Sequence, residues 1–166
     1  MTNRRPDNIA VYPGSFDPIT HGHLDIIERG LKTFETVIVA VAVNSSKKGL
    51  FSVEERVEMI REAVGDNPRV EIDIIDGLLI EYVMKKQARV ILRGLRAVSD
   101  FEYEFQLAQL NHTIEDSVET LFMMTSVRYA YLSSSIVKEI ASLNGPIDEF
   151  VPETVKQRLL EKFREL

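Results

Sequence analysis

The sequence predicts a single doubly wound α/β domain, residues 1–166, built on a five-stranded parallel sheet. Three observations carry that expectation. Short apolar segments alternate with amphipathic ones along the chain. One of them, residues 36–43 (TVIVAVAV), is apolar or β-branched at every position, as suits a strand covered on both faces. The 166 residues contain no internal repeat, low-complexity tract or long linker, and a chain of that size buries roughly 70% of its unfolded surface as one domain.

Taken in order, residues 8–12 read as a short apolar strand and residues 22–34 as a helix with Leu24, Ile27 and Leu31 on one face. The strand at 36–43 follows. Ser52 then stands as an N-cap, and Glu55 three residues on completes a capping box for a helix carrying Val57, Ile60 and Val64. Strands at 70–75, 90–93 and 120–124 alternate with helices at 79–86 and 100–112. A helix at 134–143 comes next, the turn Asn144-Gly145-Pro146 ends it, and Pro152 starts a last helix at 153–163. Right-handed crossovers between such strands give a Rossmann-like domain, whose ligand crevice lies beyond the carboxyl ends of the strands. That rule singles out the loops at 13–23, 44–51, 76–79, 93–100 and 125–135.

Composition narrows the function. With no cysteine, the chain carries neither a disulfide framework nor a thiolate metal site, and a reducing compartment suits it. The opening residues include Arg4 and Arg5 but no apolar stretch behind them, and the longest apolar run, 37–43, is too short to cross a bilayer. A cytoplasmic location without a membrane partner is expected. The formal charge of −6 argues against a general nucleic-acid binder. An anionic ligand must therefore meet local positive charge, for which Lys47, Lys48, Arg93, Arg96, Arg128 and Lys138 stand at or near predicted strand ends.

The chemistry starts in YPGSFDPITHGH, residues 12–23, where a strand runs into a Gly- and Pro-bounded loop and feeds a helix. A helix start offers free amides and partial positive charge, Gly14 and Gly22 allow close approach of backbone to phosphate, and Ser15 adds a hydroxyl. His23, in the first turn, can donate to a phosphate oxygen. The plainer alternative is that the glycines serve a tight turn and that His21 and His23 are incidental. A metal pair at His21 and His23 lacks further ligands, since no cysteine exists and the next histidine is His112.

Three blocks carry a family resemblance. SFDPITHGH, residues 15–23, resembles the (H/T)xGH signature of the nucleotidyltransferase superfamily, with Thr20, Gly22 and His23 in the matching places. LSSSIVK, residues 132–138, resembles the ISSTxxR-type motif of that superfamily in the SSSxVK form. ILRGLRA (91–97) with DFEYEFQLA (100–108) is similar to the RGLR…DFEYE stretch of phosphopantetheine adenylyltransferases. The likeness runs from Tyr12 to the last helix. Neither a P-loop nor G-x-G-x-x-G occurs, so ATP must be held another way.

The resemblance implies transfer of AMP from ATP to 4′-phosphopantetheine, giving dephospho-coenzyme A and pyrophosphate in coenzyme A biosynthesis, in line and without a covalent enzyme intermediate. It implies His23, Lys47 and Arg96 as catalytic residues. It places Ser15, Phe16, His23, Gly94, Leu95, Arg96, Glu104, Tyr129, Ala130, Tyr131, Leu132, Ser133, Ser134 and Ser135 on ATP, and Ser15, Lys47, Leu79 and Arg93 on the acceptor. Mg²⁺ is expected to arrive with ATP, coenzyme A is a candidate feedback inhibitor, and a homohexamer is the assembly the family suggests. Two departures are Ser15 in place of a common threonine and Tyr129 in place of tryptophan. Each residue has a duller reading beside this one. Lys47 and Lys48 suit a solvated loop, Arg93 and Arg96 suit ion pairs with Asp100 and Glu104, and Ser133 to Ser135 suit an N-cap. Phe101 and Phe105, four apart, suit a core-facing stripe rather than a base-stacking platform. The competing functions are a transferase acting on another phosphate, such as nicotinamide mononucleotide or glycerol 3-phosphate, and a nucleotide-sensing module without turnover.

Overall fold

The computed structural model describes residues 8–43, 48–96 and 98–165, with the backbone alone at Val98 and Ser99. Five parallel strands, β1 (Ile9–Gly14), β2 (Thr36–Ala42), β3 (Val70–Ile75), β4 (Val90–Leu95) and β5 (Glu119–Met124), form one sheet in the order β3-β2-β1-β4-β5. Six helices connect and cover them: α1 (His21–Thr33), α2 (Val53–Val64), α3 (Leu79–Lys85), α4 (Val98–Ile114), α5 (Ser134–Ser142) and α6 (Glu153–Arg164). Both the strands and the doubly wound order agree with the sequence expectation. A short 3-10 turn at Val127–Tyr129 was not foreseen; it lies inside the loop after β5.

Strand alternation divides the core. Ala10, Tyr12, Val37, Val39, Val41 and Leu92 face α1, α2, α5 and α6, whose Ile26, Ile60, Val137 and Leu159 are buried against them. Ile9, Val11, Ile38, Ala40 and Ile91 point the other way, onto Ile80 and Val83 of α3. This two-sided burial is why β2 reads as a continuous apolar run rather than an alternating one. Ser52 caps α2 with Glu55 reciprocating, as its capping box predicts. Pro152 sits at the N-cap of α6 rather than within its first turn.

One expectation is overturned. Phe101 and Phe105 do not enter the core: they are 45% and 46% exposed and stack on each other, 5.7 Å between ring centroids, beside Phe122 of β5. A spacing of four places two residues on one helix face but does not say which face is inward. Here α4 leans on β4 and on β5, the last strand of the sheet, and carries apolar residues on its outer side as well: Leu110 and Ile114 are also exposed.

The topology also makes a crevice. β1 pairs with β2 over its whole length, but with β4 only at Ala10 with Val90 and Val11 with Ile91. Beyond that point the two strands diverge, and their carboxyl ends, residues 12–14 and 93–95, open onto a cleft at the position where the strand order reverses.

Candidate active site

Two cavities share one wall above this crevice. The larger, about 460 Å³, lies between the ends of β1 and β4 and the starts of α1 and α5. His23, Arg93, Arg96, Glu104, Tyr129 and Ser133 are among its lining residues. The smaller, about 330 Å³, extends toward β2 and β3 and is walled by Val43, Ile75, Leu79, Ile91, Leu107 and Ala108, with Asn111 and Thr120 as polar points. Ser15, Arg93 and Glu104 belong to both, so a polar junction links a polar chamber to a mostly apolar one.

His23 is oriented by its own helix start. Thr20 is the N-cap of α1, and His23 occupies the third helical position, where a capping box usually has glutamate. The Thr20 amide donates to His23 Nδ1 at 3.0 Å. A backbone N–H can only donate, so Nδ1 is an acceptor and the neutral ring carries its proton on Nε2. Burial, helped by the positive charges of Arg96 and Arg93, pushes the imidazole down from 6.5 to about 4. The cleft therefore presents a neutral, tautomerically fixed N–H donor at neutral pH. Edge-on contact with Phe16 at 5.0 Å and a tilted contact with Tyr12 at 6.4 Å back the ring.

The helix starts supply further donors. At α1 the His21 amide is taken by the Phe150 carbonyl and that of His23 by Thr20 Oγ1, so of the first three helical residues only Gly22 has an N–H without a partner among the described residues. The start of α5 is more open. Ser133 is its N-cap and its Oγ accepts from the Ile136 amide, while the amides of Ser134 and Ser135 have no partner among the described residues. Ser134 Oγ donates to the Pro18 carbonyl at 2.7 Å, which ties the two helix starts together. More open amides therefore face the cleft from the start of α5 than from that of α1.

Both arginines form the expected ion pairs, and they do so at the cavity wall. Arg93 forms a bidentate pair with Glu104 and donates from Nη1 to the Pro13 carbonyl at 2.7 Å. Arg96 donates from Nε to Asp100 Oδ2 at 3.1 Å and from Nη1 to the Leu132 carbonyl at 3.0 Å. Both ion pairs line the larger cavity rather than lying on an outer surface. The Ser15 side chain is exposed at the junction and makes no hydrogen bond within the described residues, whereas its carbonyl is held by Arg56.

Of the residues expected at ATP, Ser15, Phe16, His23, Gly94, Arg96, Glu104, Tyr129, Leu132, Ser133, Ser134 and Ser135 line the larger cavity together. Leu95, Ala130 and Tyr131 do not: Leu95 is buried, its carbonyl bonded to Thr125, and Tyr131 is 87% exposed. Of the acceptor residues, Ser15, Leu79 and Arg93 meet at the smaller cavity, and Lys47 lies outside the described residues. Sequence reasoning missed Tyr12, Asp100, Tyr103 and Thr125. Tyr103, inside the DFEYE block and 63% exposed, was legible as an aromatic side chain between two glutamates. Gly14 also has another reason than expected. A Cβ there would stand 3.1 Å from the Phe16 ring, so the absent side chain makes room for Phe16.

Among the described residues no three acidic or histidine side chains converge on a metal-binding point, and no helix is long and apolar enough to cross a membrane. A cytidylyltransferase-like family model matches residues 11–140. A protein of Geobacter metallireducens named phosphopantetheine adenylyltransferase is 63% identical over 95% of this chain and 97% of its own length. Another of that name, from Geobacter sulfurreducens, is 65% identical over 95% and 96%. The crystal structure of a Vibrio parahaemolyticus protein superposes with a TM-score of 0.71 over 96% of this chain and 97% of that one, at 18% identity, which is a likeness of fold.

Proposed function

The chain belongs to the phosphopantetheine adenylyltransferase family, and from that premise and the geometry of the crevice we propose that it transfers AMP from ATP to 4′-phosphopantetheine, yielding dephospho-coenzyme A and pyrophosphate. The observation that carries this reading is the pair of cavities meeting at Ser15, Arg93 and Glu104. The polar chamber, with two helix starts and the His23 donor, suits a nucleotide triphosphate. The apolar one, with Leu79 at its wall and Asn111 and Thr120 as hydrogen-bonding points, suits an extended aliphatic and amide arm. A phosphate at the junction stands between them.

The acceptor phosphate is already a nucleophile at neutral pH, so no side chain needs to be adenylylated on the way. An oxygen of that phosphate attacks the α-phosphorus of ATP in line, the new P–O bond forms as the α–β bridge breaks, and pyrophosphate leaves with the bridging electron pair. Ser15 and Arg93 hold the acceptor, with Arg93 suited by its fork to a phosphate and prepared by its grip on Glu104 and Pro13. His23 donates from Nε2 toward the α-phosphate region, where charge redistributes as the acceptor approaches. Arg96 and the free amides of Gly22, Ser134 and Ser135 meet the leaving side. Tyr129 and Leu132 pack on the nucleoside. Lys47 keeps the acceptor-side role its family position implies. Positioning and preplaced charge supply the catalysis.

Mg²⁺ fits as a companion of ATP. The two carboxylates in the larger cavity, Asp100 and Glu104, are already engaged by arginines and do not form a cage. When bound, the ion neutralises charge on the phosphates and the departing pyrophosphate. Coenzyme A, which shares the acceptor's arm, is expected to occupy the smaller cavity as a product-like inhibitor. The exposed apolar side of α4 suits an interface between copies of the chain, and the family suggests a homohexamer as the working assembly. A cytoplasmic site of action agrees with the lack of cysteine.

The test is pyrophosphate release from ATP and Mg²⁺ in the presence of phosphopantetheine, compared with nicotinamide mononucleotide, glycerol 3-phosphate and other phosphate-bearing acceptors. Turnover confined to phosphopantetheine, reversed by added pyrophosphate, is the expected result. ATP binding without turnover on any acceptor would instead indicate a sensing module.

A further inference from the structure

Lys138 ends the SSSIVK motif yet does not line the cleft. Its Nζ donates to Asp17 Oδ2 at 2.7 Å. Asp17 is 6% exposed and also accepts the amides of Leu50 and Phe51, each at 2.9 Å, so its carboxylate joins α5, the β1–α1 loop and the segment before α2. Burial alone would raise this carboxyl, but Lys138 and the two amides outweigh it and hold it below its ordinary value. On the other side of the loop stands Arg56 of α2, 8% exposed. It donates from Nη1 to the Ser15 carbonyl at 2.9 Å and from Nε to the Ser52 carbonyl at 3.2 Å.

Between these two grips lies Phe16, a bulky residue at a φ of 46°, in the left-handed region that such side chains rarely adopt and keep only where the surroundings over-determine it. That conformation separates its neighbours. The Phe16 ring turns inward, 1% exposed, against the edge of His23, while Ser15 stays exposed at the junction of the cavities. A loop released from either grip would relax toward a commoner backbone region and rotate Ser15 and the Phe16 ring together.

We propose that Arg56 and the Asp17–Lys138 pair are positioning residues for the transfer. By holding Ser15 through its carbonyl and Asp17 through its carboxylate, on the two sides of Phe16, they keep the Ser15 hydroxyl and the His23 imidazole in register with each other. The inference rests on the adenylyltransferase reading for its effect on rate, though not for its effect on the His23 ring. Arginine is required at position 56 because one planar fork reaches two carbonyls, which a lysine ammonium cannot span.

The variants Arg56→Lys, Arg56→Met, Lys138→Arg, Lys138→Met and Asp17→Asn test this. Steady-state kinetics, ATP affinity by calorimetry and thermal midpoint are measured on each, together with the titration of the His23 ring followed by NMR without ligands. Arg56→Lys and Lys138→Met are expected to lower kcat by about 10–100-fold while ATP affinity changes little and the folded fraction at assay temperature stays complete. Lys138→Arg restores most of the rate. The His23 titration moves up from about 4 toward 6.5 in the impaired variants as water reaches the ring. That readout keeps the test open where Arg56→Met does not fold, and it separates the two hypotheses: a wild type that never makes dephospho-coenzyme A refutes the substrate reading, while the NMR comparison still judges the grip. Unchanged kcat and an unmoved His23 titration in folded Arg56→Lys and Lys138→Met, with only the thermal midpoint lowered, would overturn the proposal and leave the three residues a purely stabilising role.

Discussion

Replacing His23 by alanine should cut kcat by about 10²–10³, or roughly 3–4 kcal/mol of transition-state stabilisation, while weakening ATP binding far less. The size follows from what the ring does. Its Nδ1 is committed to the Thr20 amide, and its Nε2–H is aimed from a fixed ring at a cleft where negative charge shifts only during reaction. In the ground state the ATP phosphates retain Mg²⁺, the free α5 amides and Arg96, so one missing donor matters modestly there. The deletion also leaves the Thr20 amide without its acceptor, which adds a capping loss of about 0.5–2 kcal/mol to stability. Steady-state kcat, ATP dissociation constants and circular dichroism for wild type, His23→Ala and His23→Asn separate these effects. The asparagine can replace the bond to Thr20 or reach the cleft, but not both, and should recover stability more than rate. A pH signature accompanies the kinetics. With a folded value of about 4 against an ordinary 6.5, His23 favours the fold most when deprotonated. Its contribution is fully present above pH 6.5 and is lost as pH falls through about 4. The gap corresponds to roughly 3 kcal/mol at most. His23→Ala should therefore show a shallower fall of thermal midpoint between pH 7 and 4. An alanine variant that turns over within a few-fold of wild type would reduce His23 to a capping residue and refute the argument.

Three further outcomes follow from the same geometry. Arg93→Ala should weaken phosphopantetheine binding by on the order of 2–5 kcal/mol, with ATP affinity much less altered; calorimetry with each ligand checks the ordering, and Arg93→Lys should fare little better because the fork to Glu104 and Pro13 is lost. Gly14→Ala places a Cβ 3.1 Å from the Phe16 ring, and should cost about 1–3 kcal/mol by overpacking, read by denaturant unfolding, with a fall in kcat as the ring presses on His23. Phe101→Glu together with Phe105→Glu should shift the molecular mass in solution, read by light scattering, from an assembly to a single chain while leaving the helical signal in circular dichroism, because both rings are exposed beside β5.

The fold was legible because each strand of this sheet declares itself by composition. Residues 37–42 are apolar without alternation since both faces of β2 are covered, and the Ser52–Glu55 box marks the start of α2 by a local bond that needs no tertiary partner. Helix α4 resisted the same treatment. Apolar residues lie on more than one of its sides, as the exposed Phe101, Phe105, Leu110 and Ile114 show, so periodicity carries no information on burial, and the Phe101–Phe105 pair stays half exposed where it meets Phe122 of β5. The missing information is what an edge strand has beyond it, which no window of sequence contains.

At the site, residue types predict most of the groups that line the larger cavity but not which of their atoms are free. The α1 start looks like the anion seat because its glycines and histidine are close in sequence, yet among the described residues the amides of Thr20, His21 and His23 are already bonded and only Gly22 stays open there, beside the open amides of Ser134 and Ser135 across the cleft. Likewise the sequence leaves Arg93 and Arg96 open to two readings, substrate ligands or ion pairs, and the fold forms the ion pairs at the wall of the cavity, where the carboxylate partners fix each guanidinium. The distinction matters for reactivity. A lysine or arginine waiting in water must be desolvated and ordered when substrate arrives, whereas a guanidinium already held by Glu104 and a main-chain carbonyl has met that ordering cost in folding, and only exchanges or shares a partner on binding. Such preorganisation is a property of long-range contacts, here between residues 13, 93 and 104, and it becomes visible only when the strands that carry them are placed side by side.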